Sequence, residues 1–384
     1  MRKFMARSVM LLAVVTLLAA GAAPVDAASR KYVALSAGYE HSCALTARGE
    51  AYCWGYNNEG ELGDGTTNDS DEDGPQRVIG GLKFASISAG GYHTCALTAR
   101  GEAYCWGYND EGELGDGTTT ASTVPVAVAG GLRFSSIGLG EYHTCGLTTR
   151  GQAYCWGYNY SGDVLGTGAG GNSSVPVAVA GHLRFAKLYV GGYHTCGLTS
   201  HGQAHCWGSN WSGQLGNNSR TDSNIPVAVA GGLRFTELSM GYEHTIAMTA
   251  RGVSYGWGEN GYGALGTGNF ADALVPIVAM GGKRYASIGG SSPLSFSQCY
   301  ADRRGNLECV GYNWNNFMIP SPTPGDVTTP TAIAGVSGAV AYVVGDYHIC
   351  ALTARGAIYC WGANWDGQLG NGTMDHSAVP VQVQ

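Results

Sequence analysis

The sequence predicts an all-β fold, a seven-bladed β-propeller of four-stranded antiparallel blades. Three observations carry this. The segment GGYHTCALTARGEAYCWGYN, starting at Gly90, recurs with small changes, and its first cysteine position falls at Cys43, Cys95, Cys145, Cys196, Ile246, Cys299 and Cys350. The spacing is about 51 residues, a period of repeat architectures in which one supersecondary unit stacks on the next. Glycine supplies 62 of 384 residues and charged residues only 13%, which excludes a coiled coil, a long-helix bundle and a disordered chain.

Residues 1–27 open with Arg2, Lys3 and Arg7, continue as the apolar run SVMLLAVVTLLAAGAA, and end at Val25-Asp26-Ala27. A basic start, a short apolar run and small residues at a cleavage position read as a secretory signal peptide. Residues 28–384 then form the propeller of about seven 51-residue repeats. The expected location is secreted, extracellular or periplasmic. No other stretch reaches the roughly 18 apolar residues of a membrane helix, so no membrane span is expected in the mature chain.

Each repeat carries four short strand signals, such as Phe134-Ser-Ser-Ile137 before the glycines and Pro125-Val-Ala-Val after the third loop. Between them, CALT and EAYC flank Ala47-Arg48-Gly49, a three-residue hairpin loop with glycine at its left-handed position. Pairing Thr46 with Glu50 sets Cys43 opposite Cys53 at a non-hydrogen-bonded pair, where strands approach within disulfide reach. The same spacing gives Cys95–Cys105, Cys145–Cys155, Cys196–Cys206, Cys299–Cys309 and Cys350–Cys360. The fifth repeat has Ile246 and Gly256 instead, the joint loss expected of a bonded pair in an oxidising compartment. Trp54, Trp106, Trp156, Trp207, Trp257 and Trp361 follow the second cysteine position, with Val310 in the sixth repeat, and are assigned to packing between blades. A lone blade cannot bury both faces, so seven close into a ring. The terminal strands, from Tyr32 and Pro380, are expected to meet in closing it.

The run Gly38-Tyr39-Glu40-His41-Ser42-Cys43-Ala44-Leu45-Thr46, then Trp54-Gly55-Tyr56-Asn57 and Gly60-Glu61-Leu62-Gly63, resembles the repeat of the regulator of chromosome condensation family. The resemblance covers residues 30–384 and implies a seven-bladed propeller. The family's namesake is a nuclear guanine-nucleotide exchange factor that binds chromatin. Here an export signal, paired cysteines, no basic tail and an even repeat length point away from that role. Relatives that bind proteins through the aromatic loop before the His position look more relevant.

His41, His93, His143, His194, His244 and His348 recur and are read as buried scaffold groups; no metal site and no cofactor is expected. Strand direction alternates, so the first and third turns of every blade open on one face. The first turn supplies Tyr39, Tyr92, Tyr142, Tyr193, Tyr242 and Tyr347, an incomplete ring near the axis, with Glu40, Glu141, Glu243 and Asp346 beside it. The third loop adds Trp211, Trp314 and Trp365, with further tyrosines. Such a face suits a protein or carbohydrate contact. The opposite face is expected to be basic, from residues such as Arg48, Arg100 and Arg150. The formal charge of −7 argues against nucleic-acid binding through phosphates. No nucleophile–base pair stands out.

The expectation is therefore a secreted, monomeric, protein-binding propeller, an interaction or inhibitor module and not an enzyme, whose partner is another protein. The alternatives are a carbohydrate-binding or glycan-hydrolysing propeller, or an exchange factor like the family's namesake. The stretch Asn68–Gly74 is a weak candidate for calcium. Asn172, Asn210, Asn217 and Asn371 open Asn-x-Ser/Thr sequences.

Overall fold

The computed structural model describes residues 30–321 and 325–384, without the side chains of Glu72 and Trp314. The signal segment 1–27 lies outside the described residues. Seven sheets follow one another along the chain, each with four antiparallel strands, and the last gains a fifth, parallel strand from the sixth blade. The first blade runs Tyr32–Ala37, His41–Thr46, Ala51–Gly55 and Gln76–Arg77, and the last runs Ala339–Val344, His348–Thr353, Ile358–Gly362 and Ser377–Gln382. First strands line the axis around a cavity of about 300 Å³.

The hairpins form in the expected register. Cys43 lies opposite Cys53, Gly49 takes φ 74° and the Gly49 amide donates to the Thr46 carbonyl at 2.9 Å. All six disulfides are present, each with a Cα–Cα separation of 4.1 Å. That is the close approach of a non-hydrogen-bonded antiparallel pair. In the fifth blade Ile246 stands opposite Gly256. A Cβ on Gly256 would lie 2.9 Å from the Ile246 Cδ1, so the isoleucine occupies the space of the missing bridge and requires glycine across from it.

The terminal strands do not share a sheet, contrary to expectation. Tyr32–Ala37 belongs to the first blade and Ser377–Gln382 to the last. Among the described residues the first strand is axial and the last peripheral, and the described strands make up seven blades. Closure relies on the contact used at every other junction. The Tyr32 amide donates to the Gly356 carbonyl at 3.1 Å, as Phe84 does to Gly49, Phe134 to Gly101, Phe185 to Gly151, Phe235 to Gly202, Tyr285 to Gly252 and Ala339 to Gly305.

The sixth blade is irregular. Its first strand is split into Ser287–Ile288 and Gly290–Ser291, and the second piece pairs in parallel with Ala339–Val344 of the seventh.

Candidate functional site

The recurrent residues hold blade to blade. The histidine of one blade bonds the hydroxyl of the next: His41 to Thr94 at 2.9 Å, His93 to Thr144 at 2.7 Å, His143 to Thr195 at 3.2 Å, His194 to Thr245 at 2.8 Å, and His348 back to Ser42 at 2.7 Å. Thr94 also donates to the Glu61 carbonyl, which accepts from the Trp106 Nε1 as well. The tryptophans are fully buried, as expected of inter-blade packing. One device was not foreseen. In every blade a buried asparagine accepts, through Oδ1, the amide two positions into the Gly-x-Leu-Gly motif, as Asn57 does from Leu62 and Asn364 from Leu369. Asn313 does the same for Ile319 although the motif is absent there.

This scaffold shapes one face. Five first-turn junctions carry a backbone bond, among them Tyr39 N–H to Gly90 O at 3.3 Å and Tyr242 N–H to Ser295 O at 3.0 Å. They fix the turns side by side, and the half-buried rings meet. Tyr39 lies 5.5 Å from Tyr92 and 5.9 Å from Tyr347, and Tyr92 stacks on Tyr142 at 5.4 Å. Tyr193 meets Tyr242 at 5.5 Å. The break expected in the sixth blade is absent, because Phe296 sits 5.2 Å from Tyr242 and 4.7 Å from Tyr262. Tyr262 then reaches Tyr312 at 5.4 Å, and Tyr312 reaches Tyr347 at 6.1 Å. Between Tyr142 and Tyr193 the link runs through Tyr158 and Tyr160, at 6.3, 6.0 and 5.3 Å. The ring is therefore complete. Phe296 holds the place immediately before Ser297 that Tyr92, Tyr142, Tyr193 and Tyr347 hold before their histidines, a signal the sequence carries.

The third-loop tryptophans extend this array. Trp211 is 47% exposed, packs on Tyr160 at 5.4 Å and donates to Asp222; Trp365 is 40% exposed and packs on Tyr347 at 5.5 Å. The Trp314 side chain lies outside those described.

The carboxyl groups on this face are poorly solvated. Burial, with the Glu40 and Glu141 charges adding, pushes Asp346 up to about 8. Burial also raises Glu141, and lifts Glu40 to about 7. Beneath the third loops Glu61 and Glu113 are fully buried and lifted to about 8 for the same reason. The histidines go the other way: burial takes His41, His93, His143 and His194 to about 3, and His244 and His348 to about 4. The two sets oppose each other. Raised carboxyls bind more protons folded than unfolded, so their contribution is present at low pH and is lost as pH rises toward 8. Depressed histidines bind fewer protons folded, so stability is lost as pH falls below about 6.5 toward 3. The melting midpoint should peak near pH 5–6 and decline on both sides. Calorimetric scans at constant ionic strength check this, and a midpoint flat from pH 6 to about 8.5 would contradict it.

The opposite face carries exposed Arg48, Arg100, Arg150, Arg251, Arg304 and Arg355 at the hairpin turns. Part of that charge is neutralised, by Lys83 with Glu50 at 2.9 Å and Arg133 with Glu102 at 2.5 Å. The stretch Asn68–Gly74 braces its own loop: Asp69 accepts from the Asn57 amide and Ser70 from the Gly55 amide. Among the described residues no group of three or more His, Cys, Asp or Glu is placed to hold a metal ion, and no helix is long and apolar enough to cross a membrane. Asn210 is fully buried and donates to Ser219 and Thr221 carbonyls. Its Asn-Trp-Ser sequence is therefore closed to glycosylation in the folded chain.

A family model described as RCC1-like domain matches residues 15–384. The chain is 33% identical over 197 residues to the RCC1 domain-containing protein RUG3, mitochondrial, of Arabidopsis thaliana, covering 47% of this chain and 42% of that one. It is 36% identical over 94 residues to the ultraviolet-B receptor UVR8 of the same plant, 24% of this chain and 21% of the receptor. These matches span less than half the length of either relative. Among solved structures, human WBSCR16 superposes with TM-score 0.76 at 20% identity, covering 87% of this chain and 94% of that one. Prp20p of Saccharomyces cerevisiae, described with its binding to Gsp1p and histones, gives TM-score 0.72 at 21% identity, with 92% and 87% covered. At these identities the likeness is one of fold.

Proposed function

The chain belongs to the RCC1-like domain family, and from that premise we propose that it is a secreted, disulfide-pinned propeller that binds another protein through its aromatic face. The observation that carries this reading is the closed ring of half-buried rings around the axis, flanked by Trp211 and Trp365. Tyrosine and tryptophan on a rigid backbone supply large contact area at low conformational cost, the composition of interface hot spots. Six disulfides fit an oxidising compartment. The apolar run of residues 1–27 supports export.

Immobilised chain should capture a protein from an extracellular or periplasmic extract under oxidising conditions. The pair Trp211→Ala and Trp365→Ala should weaken that capture by about tenfold or more, each anchor being worth about 1 kcal/mol or more at an interface. Its melting midpoint should stay within a few degrees of the parent, since both rings are exposed at loop tips. Tyr142→Ala with Tyr193→Ala should weaken capture at least as much. Capture unchanged in both double variants would remove the aromatic face from the binding role. Carbohydrate binding or hydrolysis draws on the same rings. Retention on a glycan array, with no protein captured, would favour it.

A further inference from the structure

The mouth of the axis holds two buried carboxyl groups with no counter-ion. Glu141 is 9% exposed and Asp346 5% exposed, yet among the described residues neither is ion-paired to lysine or arginine, whose salt bridges all lie elsewhere. The Glu141 Oε2 is buried with no hydrogen-bond partner. These carboxyl groups lie beside the ring aromatics: Glu141 immediately precedes Tyr142 and Asp346 immediately precedes Tyr347, two members of the ring. They also sense one another, the Glu141 charge contributing to the upward shift of Asp346. A buried carboxylate left unpaired is costly, and a fold that keeps two of them under aromatic faces has both components that attract an organic cation.

We propose that this mouth is a socket for one organic cation, a lysine ammonium or arginine guanidinium projecting from the bound protein partner. The aromatic faces of the ring would bear on the cation while Glu141 and Asp346 accept its hydrogen bonds. A cation–π contact strengthens when desolvated, and a charge-assisted bond to a carboxylate is roughly twice as strong as a neutral one. The partner thus presents a protruding basic side chain at the centre of its epitope. This rests on the protein-binding reading given above and assigns the chemistry of its centre.

The test uses the full disulfide-bonded protein and three probes: N-acetyl-arginine amide, N-acetyl-lysine amide and uncharged N-acetyl-norleucine amide. Tyrosine fluorescence or NMR shifts should report saturable, millimolar binding of at least one cationic probe, on the order expected for a single anchored group, and none of norleucine. The variant Glu141→Gln with Asp346→Asn should weaken the cationic probe by about tenfold or more, the loss of roughly one charge-assisted bond. Its fold is checked by its melting curve. Should it fail to fold, Tyr92→Leu, which removes one ring face, must weaken the probe instead. Absence of saturable cation binding, or norleucine binding equally well, overturns the socket. Two outcomes separate the readings. If the double carboxylate variant captures protein as strongly as the parent while Tyr142→Ala with Tyr193→Ala loses it, the aromatic face stands and the socket falls. If arginine binds but no protein is captured, the protein-derived cation is overturned along with the protein-binding reading.

Discussion

A variant with all twelve cysteines replaced by alanine should unfold at a midpoint on the order of 10 °C or more below the parent. Each bridge closes a sequence separation of 10, worth about 2–3 kcal/mol in the chain-entropy account. A hairpin that is partly formed in the unfolded chain reduces that figure, so roughly 10 kcal/mol for the set is the working value. The sulfurs are fully buried, and alanine in their place also leaves unfilled volume between blades. Calorimetry of refolded material measures the effect. A midpoint within about 3 °C of the parent would mean that the sheets alone hold the hairpins. The fifth blade supplies the control: Cys95→Ile with Cys105→Gly, copying Ile246 and Gly256, should retain more stability than Cys95→Ala with Cys105→Ala, because the isoleucine fills the bridge's space.

Trp106→Ala should be the most damaging single substitution, at about 3–5 kcal/mol. The indole is fully buried between the first two blades and its Nε1 donates to the Glu61 carbonyl at 2.8 Å. It rests directly on Gly63, where a Cβ would stand 2.7 Å from Nε1, and packs with Leu45, Leu62 and Phe84, so its removal leaves a hole in the core between two blades. Removing it leaves the Glu61 carbonyl with Thr94 as its remaining side-chain donor. The sixth blade tolerates Val310 at this place because Met280 fills the floor, its sulfur 2.6 Å from a Cβ built on Gly266; no such methionine serves Trp106. Urea unfolding should show Trp106→Ala losing several times more stability than exposed Trp211→Ala. Equal losses would remove the tryptophans from the inter-blade role.

What could be read from the sequence was whatever a strictly local repeat dictates. The hairpin register follows from three residues of loop, so Cys43 opposite Cys53 needed no tertiary knowledge. The histidines could be read as scaffold because they recur, but their partners, such as Thr144 for His93, sit about fifty residues away on the next blade. Phe296 is hard to see in the sequence because it breaks the tyrosine identity of the ring while keeping its place in the turn. Asn57 and its counterparts looked like loop residues; their role depends on a third loop folding back on itself, as the Asn57 bonds to the Thr66 and Asn68 carbonyls show. Strand exchange at closure depends on the phase at which the chain starts, which strand signals alone left open. Burial of Glu61, Glu113, Glu141 and Asp346 was not legible, since a carboxylate in a Gly-rich loop ordinarily faces solvent.

The missing histidine–hydroxyl links have a mechanical meaning. His244 bonds no hydroxyl, since the sixth blade offers Gln298 where Thr94 and Thr144 stand, and Ser297 and Ile349 leave the next joint without one too. Both flanks of the sixth blade nevertheless make contacts of their own: Ser239 donates to the Gly289 carbonyl at 2.6 Å on one side, and on the other the Tyr342 hydroxyl donates to the Ser287 carbonyl at 2.9 Å while Gly290–Ser291 pairs with the seventh blade. A circle under thermal stress parts at its least fastened joint. For this molecule the sixth blade is no open seam, because contacts peculiar to it replace the repeated link on both sides.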